Sequence, residues 1–257
     1  MSKLVVITGA SSGIGLSLAN KYASENYNLI IVARGQKTLQ EIAKKIREEH
    51  GVEASVISAD LSLPGAADLL WQKMKHQKID IFINNAGFGD LHDVVDADPS
   101  KLSSMIALNI TTLTRLSQLA AISMKKRGVG AIVNLASVLS FFPSPHGAVY
   151  GATKAYVLSF TEGLSEELKG TGVHVTAICP GPTKTNFAAQ ASMQKLSVMN
   201  GNMPTGDDVA EYGYNAVAQH KVVAVPGLRN KVSTFIAPRI LSRAILRRIS
   251  GKVQSTK

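Results

Sequence analysis

The feature that most constrains the fold is a short apolar strand that runs into a glycine-rich turn and then into a helix. The predicted strand covers Leu4 to Ile7, the turn holds Gly9, Gly13 and Gly15, and apolar residues at helical spacing follow. Glycine lets the backbone approach a pyrophosphate, and the N-terminus of a helix supplies N–H groups and a positive dipole end. The spacing Gly-x-x-x-Gly-x-Gly differs from the common G-x-G-x-x-G fingerprint, and a glycine turn can be purely structural. With its flanking elements, however, it indicates a nucleotide-binding unit.

The rest of the chain continues the alternation of strands and helices, without repeats or a low-complexity linker. This pattern predicts a single doubly wound α/β domain of Rossmann type, with a seven-stranded parallel sheet, right-handed crossovers and helices on both faces. The predicted strands are residues 4–7, 28–33, 52–58, 79–83, 128–136, 172–179 and 222–225. We expect residues 1–228 to form the nucleotide-binding and catalytic domain, with a mobile substrate lid at about 184–205. Residues 229–257 form a basic amphipathic C-terminal extension.

The net charge of +10 belongs to the end of the chain. From Lys221 to Lys257 there are nine Lys and Arg residues and no Asp or Glu, and the remaining residues carry 19 basic against 18 acidic side chains. Because the tail contains no recognised nucleic-acid module, we expect no nucleic-acid partner. Pro238 is suited to the first position of a helix. In the segment that follows, spacing by four gives an apolar stripe of Leu241, Ile245 and Ile249 beside a basic stripe of Arg239, Arg243 and Arg247.

Such a helix can bind an anionic membrane surface through residues 238–249, or it can pack against the body or a second subunit. We favour packing. No apolar run reaches the length of a spanning helix, and the first predicted strand leaves no room for a signal peptide, so we expect a cytoplasmic protein. The single cysteine, Cys179, excludes an internal disulfide and a thiolate metal cluster, and we expect no metal site.

A candidate catalytic group follows the fifth predicted strand. Ser137 stands at the strand's carboxyl end, and Tyr150 and Lys154 are four residues apart, on one face of a helix. A nearby ammonium favours the phenolate, so we expect Lys154 to lower the pKa of Tyr150 and to suit it for general acid–base catalysis. Tyr-x-x-x-Lys alone is a weak signal, since its residue types are common. Ser137 could hydrogen-bond the same substrate oxygen.

Polar residues at other strand ends extend this candidate site. Arg34 follows the second strand, where NAD-binding units usually carry an acidic residue, and a guanidinium there favours the 2′-phosphate of NADP. Asp60 follows the third strand, at a place suited to an adenine amino group or to a helix cap. A short segment of small or polar residues, from Asn84 to Gly87, follows the fourth strand. Asn109 interrupts a long helix predicted over residues 99–127, where it either bends the helix and frees a carbonyl or is merely exposed.

Together these motifs resemble the short-chain dehydrogenase/reductase family over residues 3–190. The matching positions are Thr8-Gly9-x-x-x-Gly13-x-Gly15, Asn84-Asn85-Ala86-Gly87, Asn109, Ser137, Tyr150-x-x-x-Lys154 and Pro180-Gly181. The resemblance implies an NADP-dependent oxidoreductase that transfers a hydride between NADP(H) and a carbonyl or secondary alcohol. It implies that Tyr150 exchanges the proton, Ser137 polarises the oxygen, Lys154 binds the nicotinamide ribose and Asn109 holds a relay water.

The resemblance also implies a set of cofactor-binding positions, in which the stretch after Pro180 holds the carboxamide. The set is Gly9, Ser11, Ser12, Gly13, Ile14, Gly15, Arg34, Asp60, Leu61, Asn84, Ala86, Gly87, Tyr150, Lys154, Pro180, Gly181, Thr183 and Thr185. Many members form tetramers through a glycine-rich apolar end, but a basic tail stands there in this chain. We expect a homo-oligomer, either a dimer or a tetramer.

Composition suggests the class of substrate. The predicted lid contains Phe187, Met193, Met199 and Met203, and Phe141 and Phe142 precede Tyr150. These side chains indicate an apolar pocket and a hydrophobic ketone, ketoacyl chain or sterol-like ring as substrate. The main alternative is a nucleotide-binding regulatory or scaffold protein without turnover, which would have no chemical need of Ser137, Tyr150 and Lys154.

Overall fold

The computed structural model describes residues 2–187 and 203–254. Its centre is a sheet of seven parallel strands in the order β3-β2-β1-β4-β5-β6-β7. The strands are β1 Leu4–Thr8, β2 Asn28–Ala33, β3 Ala54–Ser58, β4 Ile81–Asn84, β5 Gly130–Leu135, β6 Val173–Ile178 and β7 Val223–Ala224. The predicted doubly wound fold with a seven-stranded parallel sheet is confirmed.

Helices cover both faces of the sheet. The described residues form α1 Gly13–Ser24, α2 Gln36–His50, α3 Ala66–Met74, α4 Pro99–Arg127, α5 Ala148–Glu167, α6 Gly206–Ala218, α7 Leu228–Ile240 and α8 Arg243–Gln254. Side chains of α1, α2 and α6 pack with Val5 and Ile7 of β1 on one face. Those of α3 and α4 pack with Val6 of the same strand on the other. Because both of their faces are buried, the sequences of these strands are unbroken apolar runs.

The order of the strands indicates where a ligand site should lie. β1 lies between β2 and β4, so the chain crosses from one half of the sheet to the other between these strands. Ligands of open parallel sheets bind where the strand order reverses, outside the carboxyl ends of the strands. Thr8 and Asn84 are the last residues of β1 and β4, and Ser137 lies two residues beyond β5.

Helix α4 contains a π-helical turn, Ala107–Thr112, at the asparagine that interrupts its apolar spacing. Asn109 is 1% exposed, so the alternative that it is a surface residue is wrong. By length and composition alone, this helix could cross a membrane. However, Leu116, Ala120 and Met124 pack against the sheet, as expected for a core helix of a globular domain.

The C-terminal segment differs from the prediction. Pro238 does not begin a helix; it lies near the end of α7, and the chain leaves helical geometry at Leu241 before α8 begins at Arg243. The predicted stripe is therefore interrupted, because Leu241 lies in the link between the two helices and only Ile245 and Ile249 lie on α8. Within α8, Leu246 is buried and Ile245 is 44% exposed.

Candidate active site

The glycine turn between β1 and α1 is tightly folded. Gly9 and Gly13 have positive φ values of 68° and 56°, and the Gly9 N–H donates to the Val32 carbonyl at 2.7 Å. A Cβ added at Gly15 would lie 2.3 Å from the Gly9 carbonyl oxygen, so only glycine fits there. Ser12 precedes α1 in an extended conformation, and within the described chain no side chain caps this helix end. Its first N–H groups can therefore bind an anion.

The end of β4 supports this turn through Asn85. Asn85 Nδ2 donates to the carbonyl oxygens of Thr8 at 2.9 Å and Gly9 at 3.1 Å. The hydroxyl of Thr8 accepts the backbone N–H groups of Asn85 and Ala86 at 3.1 and 3.0 Å. Sequence reasoning did not assign a role to Asn85, which lines the cavity described below.

Asn84, by contrast, was predicted as a cofactor-binding residue, and the structure places its side chain elsewhere. Its Nδ2 donates to Ser117 Oγ at 3.0 Å and to Asn134 Oδ1 at 2.9 Å. Asn134 in turn donates to Thr161 Oγ1 at 3.0 Å. All four side chains are buried, so Asn84 belongs to a polar network that joins β4 and β5 to α4 and α5.

Ser137 is held in a short turn that begins a 3₁₀ helix, Val138–Phe141. Its hydroxyl oxygen accepts the Leu139 N–H at 3.1 Å. Ser140 Oγ accepts the Ser137 N–H at 3.2 Å and donates to the carbonyl oxygen of Lys154 at 2.7 Å. Ser140 therefore ties the Ser137 turn to α5. The sequence carried no signal for Ser140, because its partner is a backbone atom of a residue fourteen positions away.

Tyr150 and Lys154 lie on the inner face of α5, and both are buried. Lys154 Nζ donates to the Leu135 carbonyl oxygen at 2.6 Å and lies 5.9 Å from the centroid of the Tyr150 ring. Burial lowers the pKa of Lys154 to about 8. Burial also raises the pKa of the Tyr150 phenol above its ordinary value, and the nearby Ser137 hydroxyl offsets this only in part. In this structure loss of solvent therefore dominates the pKa of Tyr150, and the net lowering expected from Lys154 is not observed.

Asn109 lies behind these residues, in the π-helical turn. Its Nδ2 donates to the Phe88 carbonyl at 2.9 Å and to Thr153 Oγ1 at 3.1 Å, and its Oδ1 accepts the Phe88 N–H at 3.2 Å. A Cβ at Gly87 would lie 2.9 Å from Asn109 Oδ1 and 3.6 Å from Lys154 Nζ. The asparagine thus fixes the segment after β4 against α5.

A cavity of about 520 Å³ runs from the glycine turn to Tyr150. Most of the predicted residues line it: Gly9, Ser12, Gly13, Ile14, Gly15, Ala86, Gly87, Ser137, Tyr150, Lys154, Pro180, Gly181, Thr183 and Thr185. The predicted residues outside that lining are Ser11, Arg34, Asp60, Leu61, Asn84 and Asn109. Arg34 is exposed just after β2. The pKa of Asp60 is lowered by hydrogen bonds from Ser62 and, to a smaller extent, by the charge of Arg34.

Only some of the residues predicted for the substrate pocket line this cavity. Phe142 and Phe187 line the cavity, and the Phe187 ring lies 5.8 Å from that of Tyr150. Phe141 was predicted there too, but it packs with Val157 and Leu158 beside β6. Met203 is described and lies outside the lining, whereas Met193, Met199 and most of the predicted lid fall outside the described residues. Sequence reasoning missed Leu246, Ile249 and Val253 of α8, which line the cavity from the C-terminal segment.

The fold and the site define a nucleotide-dependent oxidoreductase of the Rossmann class. Residues 3–196 match the family model described as short chain dehydrogenase, and the protein belongs to that family. Its members use NAD(P)(H) and act on CH–OH and C=O groups.

Relatives and solved structures agree with this assignment. The chain is 35% identical to sulfoacetaldehyde reductase 2 of Chromohalobacter salexigens, over 73% of this chain and 75% of that one. A short-chain dehydrogenase from Sphingobium yanoikuyae in complex with NADPH superposes with a TM-score of 0.84 at 33% identity, covering 90% of each chain. The bulky-bulky ketone specific alcohol dehydrogenase from Comamonas testosteroni superposes with a TM-score of 0.79 at 29% identity, covering 95% of this chain and 98% of that one.

The residues present fit a nicotinamide dinucleotide. The N-terminus of α1, directly after the tight turn of Gly9 and Gly13, offers backbone N–H groups to the phosphates, and Lys154 lies at the other end of the same cavity. A Cβ at Gly13 would meet the Thr185 side chain at 3.4 Å, so the start of α1 and the segment after β6 lie close together at this end of the cavity. The bound nicotinamide would supply the hydride chemistry.

Proposed function

We propose that the protein transfers a hydride between NADP(H) and an uncharged, hydrophobic ketone or secondary alcohol. The observation that carries this proposal is the composition of the cavity wall around Tyr150. Among the described residues that line the cavity, Lys154 is the only charged one, and its ammonium is bound to the Leu135 carbonyl. A small anionic substrate, such as a sulfonated aldehyde, would need a second cation there, because Lys154 is assigned to the nicotinamide ribose. The aliphatic and aromatic lining instead favours an apolar carbonyl compound.

In this proposal Tyr150 transfers a proton to or from the substrate oxygen. Its raised pKa keeps the phenol protonated at neutral pH, which suits the donation of a proton during carbonyl reduction. Ser137 donates a hydrogen bond to the same oxygen. Lys154 orients the ribose hydroxyls, and Asn109 holds the surrounding segment and a relay water.

The test is reduction of a panel of ketones by the wild-type protein and by Tyr150→Phe. We expect Tyr150→Phe to lower kcat by about 10²–10⁴-fold, the usual contribution of a general acid, with the dissociation constant of NADPH unchanged. Ser137→Ala should lower kcat in the same way. Tight NADPH binding without turnover of any apolar ketone, or a preference for sugars or small charged acids, would contradict the proposal. The former result would favour the binding-protein alternative.

The preference for NADP over NAD rests on Arg34. It stands at the carboxyl end of β2, is exposed, and lies close enough to Asp60 to affect its pKa. A guanidinium at this place can pair with a 2′-phosphate. We expect Arg34→Asp to weaken NADPH binding by about 10–100-fold, since charge-assisted bonds contribute about 1.5–3 kcal/mol, and to leave NADH binding unchanged or stronger. Lys37→Asp, on the first turn of α2, is the control for a change of surface charge. An equal loss of both nucleotides in Arg34→Asp would refute this assignment.

The binding partners of the protein and its cellular location stay predictions. We propose a cytoplasmic homo-oligomer, a dimer or a tetramer; Phe235 and Ile236 of α7, which are 62% and 42% exposed, offer apolar surface for contact. Light scattering after gel filtration measures the oligomeric state. Peripheral binding to anionic vesicles through residues 238–249 is tested by flotation of the wild-type protein against a variant with Arg243, Arg247 and Arg248 changed to glutamine. Equal flotation would remove the membrane prediction.

A further inference from the structure

Helix α8 forms part of the wall of the cavity that contains Ser137 and Tyr150. Leu246, Ile249 and Val253 all line this cavity, and their spacings of three and four residues place them on one face of the helix. Leu246 is 5% exposed, whereas Ile249 and Val253 are 47% and 40% exposed. The side chains therefore extend from a buried position to the solvent-facing mouth.

Two contacts hold α8 against the segment that connects Ser137 to Tyr150. The Ser144 hydroxyl donates to Gln254 Oε1 at 2.7 Å, and both residues are buried. Gly251 lies close to Pro145, since an added Cβ would be 3.6 Å from the proline Cγ. The position of the helix is thereby coupled to the segment that carries the catalytic tyrosine.

The charges of α8 point away from the cavity. Arg243, Arg247 and Arg248 are exposed, and the residues of α8 that line the cavity are aliphatic or uncharged. A wall of this kind excludes water from an apolar substituent of the substrate and offers no partner to a charged one.

We propose that α8 determines substrate size and polarity, with Leu246, Ile249 and Val253 binding the larger apolar substituent of a bulky ketone. This inference rests on the proposed function, because it assigns the same cavity to a hydrophobic carbonyl compound. It adds that the substituent distant from the reacting carbon is bound by the C-terminal helix.

Two isoleucines of α8 provide a matched pair for the test. Ile249 lines the cavity, whereas Ile245, which is 44% exposed, does not. Benzophenone serves as the bulky ketone and cyclohexanone as the small one. KM for each is measured with NADPH, and the dissociation constant of benzophenone is measured by calorimetry in the Tyr150→Phe background with NADPH bound, where turnover is suppressed.

We expect Ile249→Ala to raise both KM and the dissociation constant for benzophenone about fivefold, as expected for loss of roughly half of a buried aliphatic side chain. Ile249→Val should shift them about twofold in the same direction. Ile245→Ala should leave both values unchanged, and KM for cyclohexanone should be unchanged in all three variants. Unfolding curves confirm that the variants are folded.

Equal shifts in Ile249→Ala and Ile245→Ala, or no shift in Ile249→Ala, would overturn the inference, as would failure of the Tyr150→Phe protein to bind benzophenone. The failure of the proposed function is a different result. If the wild-type protein reduces no ketone but Ile249→Ala still weakens benzophenone binding, the hydride-transfer proposal is refuted and the role of α8 stands.

Discussion

Replacement of Gly15 by alanine is expected to destabilise the protein through a collision within the backbone of the glycine turn. An added Cβ would lie 2.3 Å from the Gly9 carbonyl oxygen and 2.4 Å from Asn85 Nδ2. Favourable contacts between heavy atoms begin near about 3.5 Å, so the turn would have to open by roughly 1 Å. This movement would disturb the bond from the Gly9 N–H to Val32 and the bonds from the Asn85 amide to Thr8 and Gly9.

These contacts determine how much the free energy of unfolding should fall in Gly15→Ala. Overpacking of a buried position costs about 1–3 kcal/mol, and each weakened hydrogen bond adds about 0.5–1.5 kcal/mol. We therefore expect the free energy of unfolding to fall by about 2–4 kcal/mol, which corresponds to a decrease in melting temperature of roughly 4–16 °C for a chain of this size. NADPH binding should weaken as well, because the same turn presents its N–H groups to the phosphates.

Gly163→Ala is the matched control. Gly163 lies in the interior of α5 and is exposed, and among the described residues no atom beyond its chain neighbours and its own helix backbone lies within 4 Å of an added Cβ. Alanine there should raise the free energy of unfolding by about 0.5–1 kcal/mol, since it restricts the unfolded chain and favours the helix. Urea unfolding followed by circular dichroism, at one fixed protein concentration, measures both variants. If Gly15→Ala were as stable as Gly163→Ala, the close approach of α1 to the turn would be refuted.

Three further predictions follow from the site. Because burial lowers the pKa of Lys154 to about 8, unfolding takes up a proton between that pH and about pH 10.4. The stability of the wild-type protein should therefore rise over this interval by about 1–3 kcal/mol relative to Lys154→Met, and a pH-independent difference in urea unfolding would contradict it. Asn84→Ala should lower stability by about 1–3 kcal/mol with NADPH binding unchanged, since it removes the two buried hydrogen bonds that Asn84 donates to Ser117 and Asn134; weaker NADPH binding at equal stability would instead place Asn84 at the cofactor. Gln254→Ala should raise KM for benzophenone by about threefold or more with kcat unchanged, because loss of the bond to Ser144 loosens α8; a lower kcat at unchanged KM would refute this positioning role.

Much of the fold and the catalytic group could be predicted because the signals are local. Strand ends were visible as apolar runs followed by Ser137 or by Arg34, and parallel strands bring their carboxyl ends to one edge of the sheet. Tyr150 and Lys154 share a helix face through their spacing alone. The choice between Asn84 and Asn85 could not be made in this way. Consecutive side chains at the end of β4 point in opposite directions, and the sequence does not reveal which one faces the cavity.

Burial and distant contacts account for the other differences. The direction in which the pKa of Tyr150 shifts depends on how completely the phenol is removed from solvent. This burial depends on packing from several elements. Pro238 is compatible with the start of a helix, but the chain places it near the end of α7. The apolar stripe through Ile245 and Ile249 was read as one helix face, whereas Leu246, between them in sequence, is the most buried of the three.

The two walls of the cavity have different origins in the sequence. The wall that faces the dinucleotide is built from strand ends and from the turn of Gly9 to Gly15, and its hydrogen bonds join these segments to one another. The wall that faces the substrate includes α8, which contacts the catalytic segment through Ser144 and Pro145. Substitutions in α8 can therefore alter the size and shape of the cavity without moving the glycine turn or Lys154. On this reasoning, the range of substrates can change independently of nucleotide binding, and changes at Ile249 should affect KM far more than the dissociation constant of NADPH.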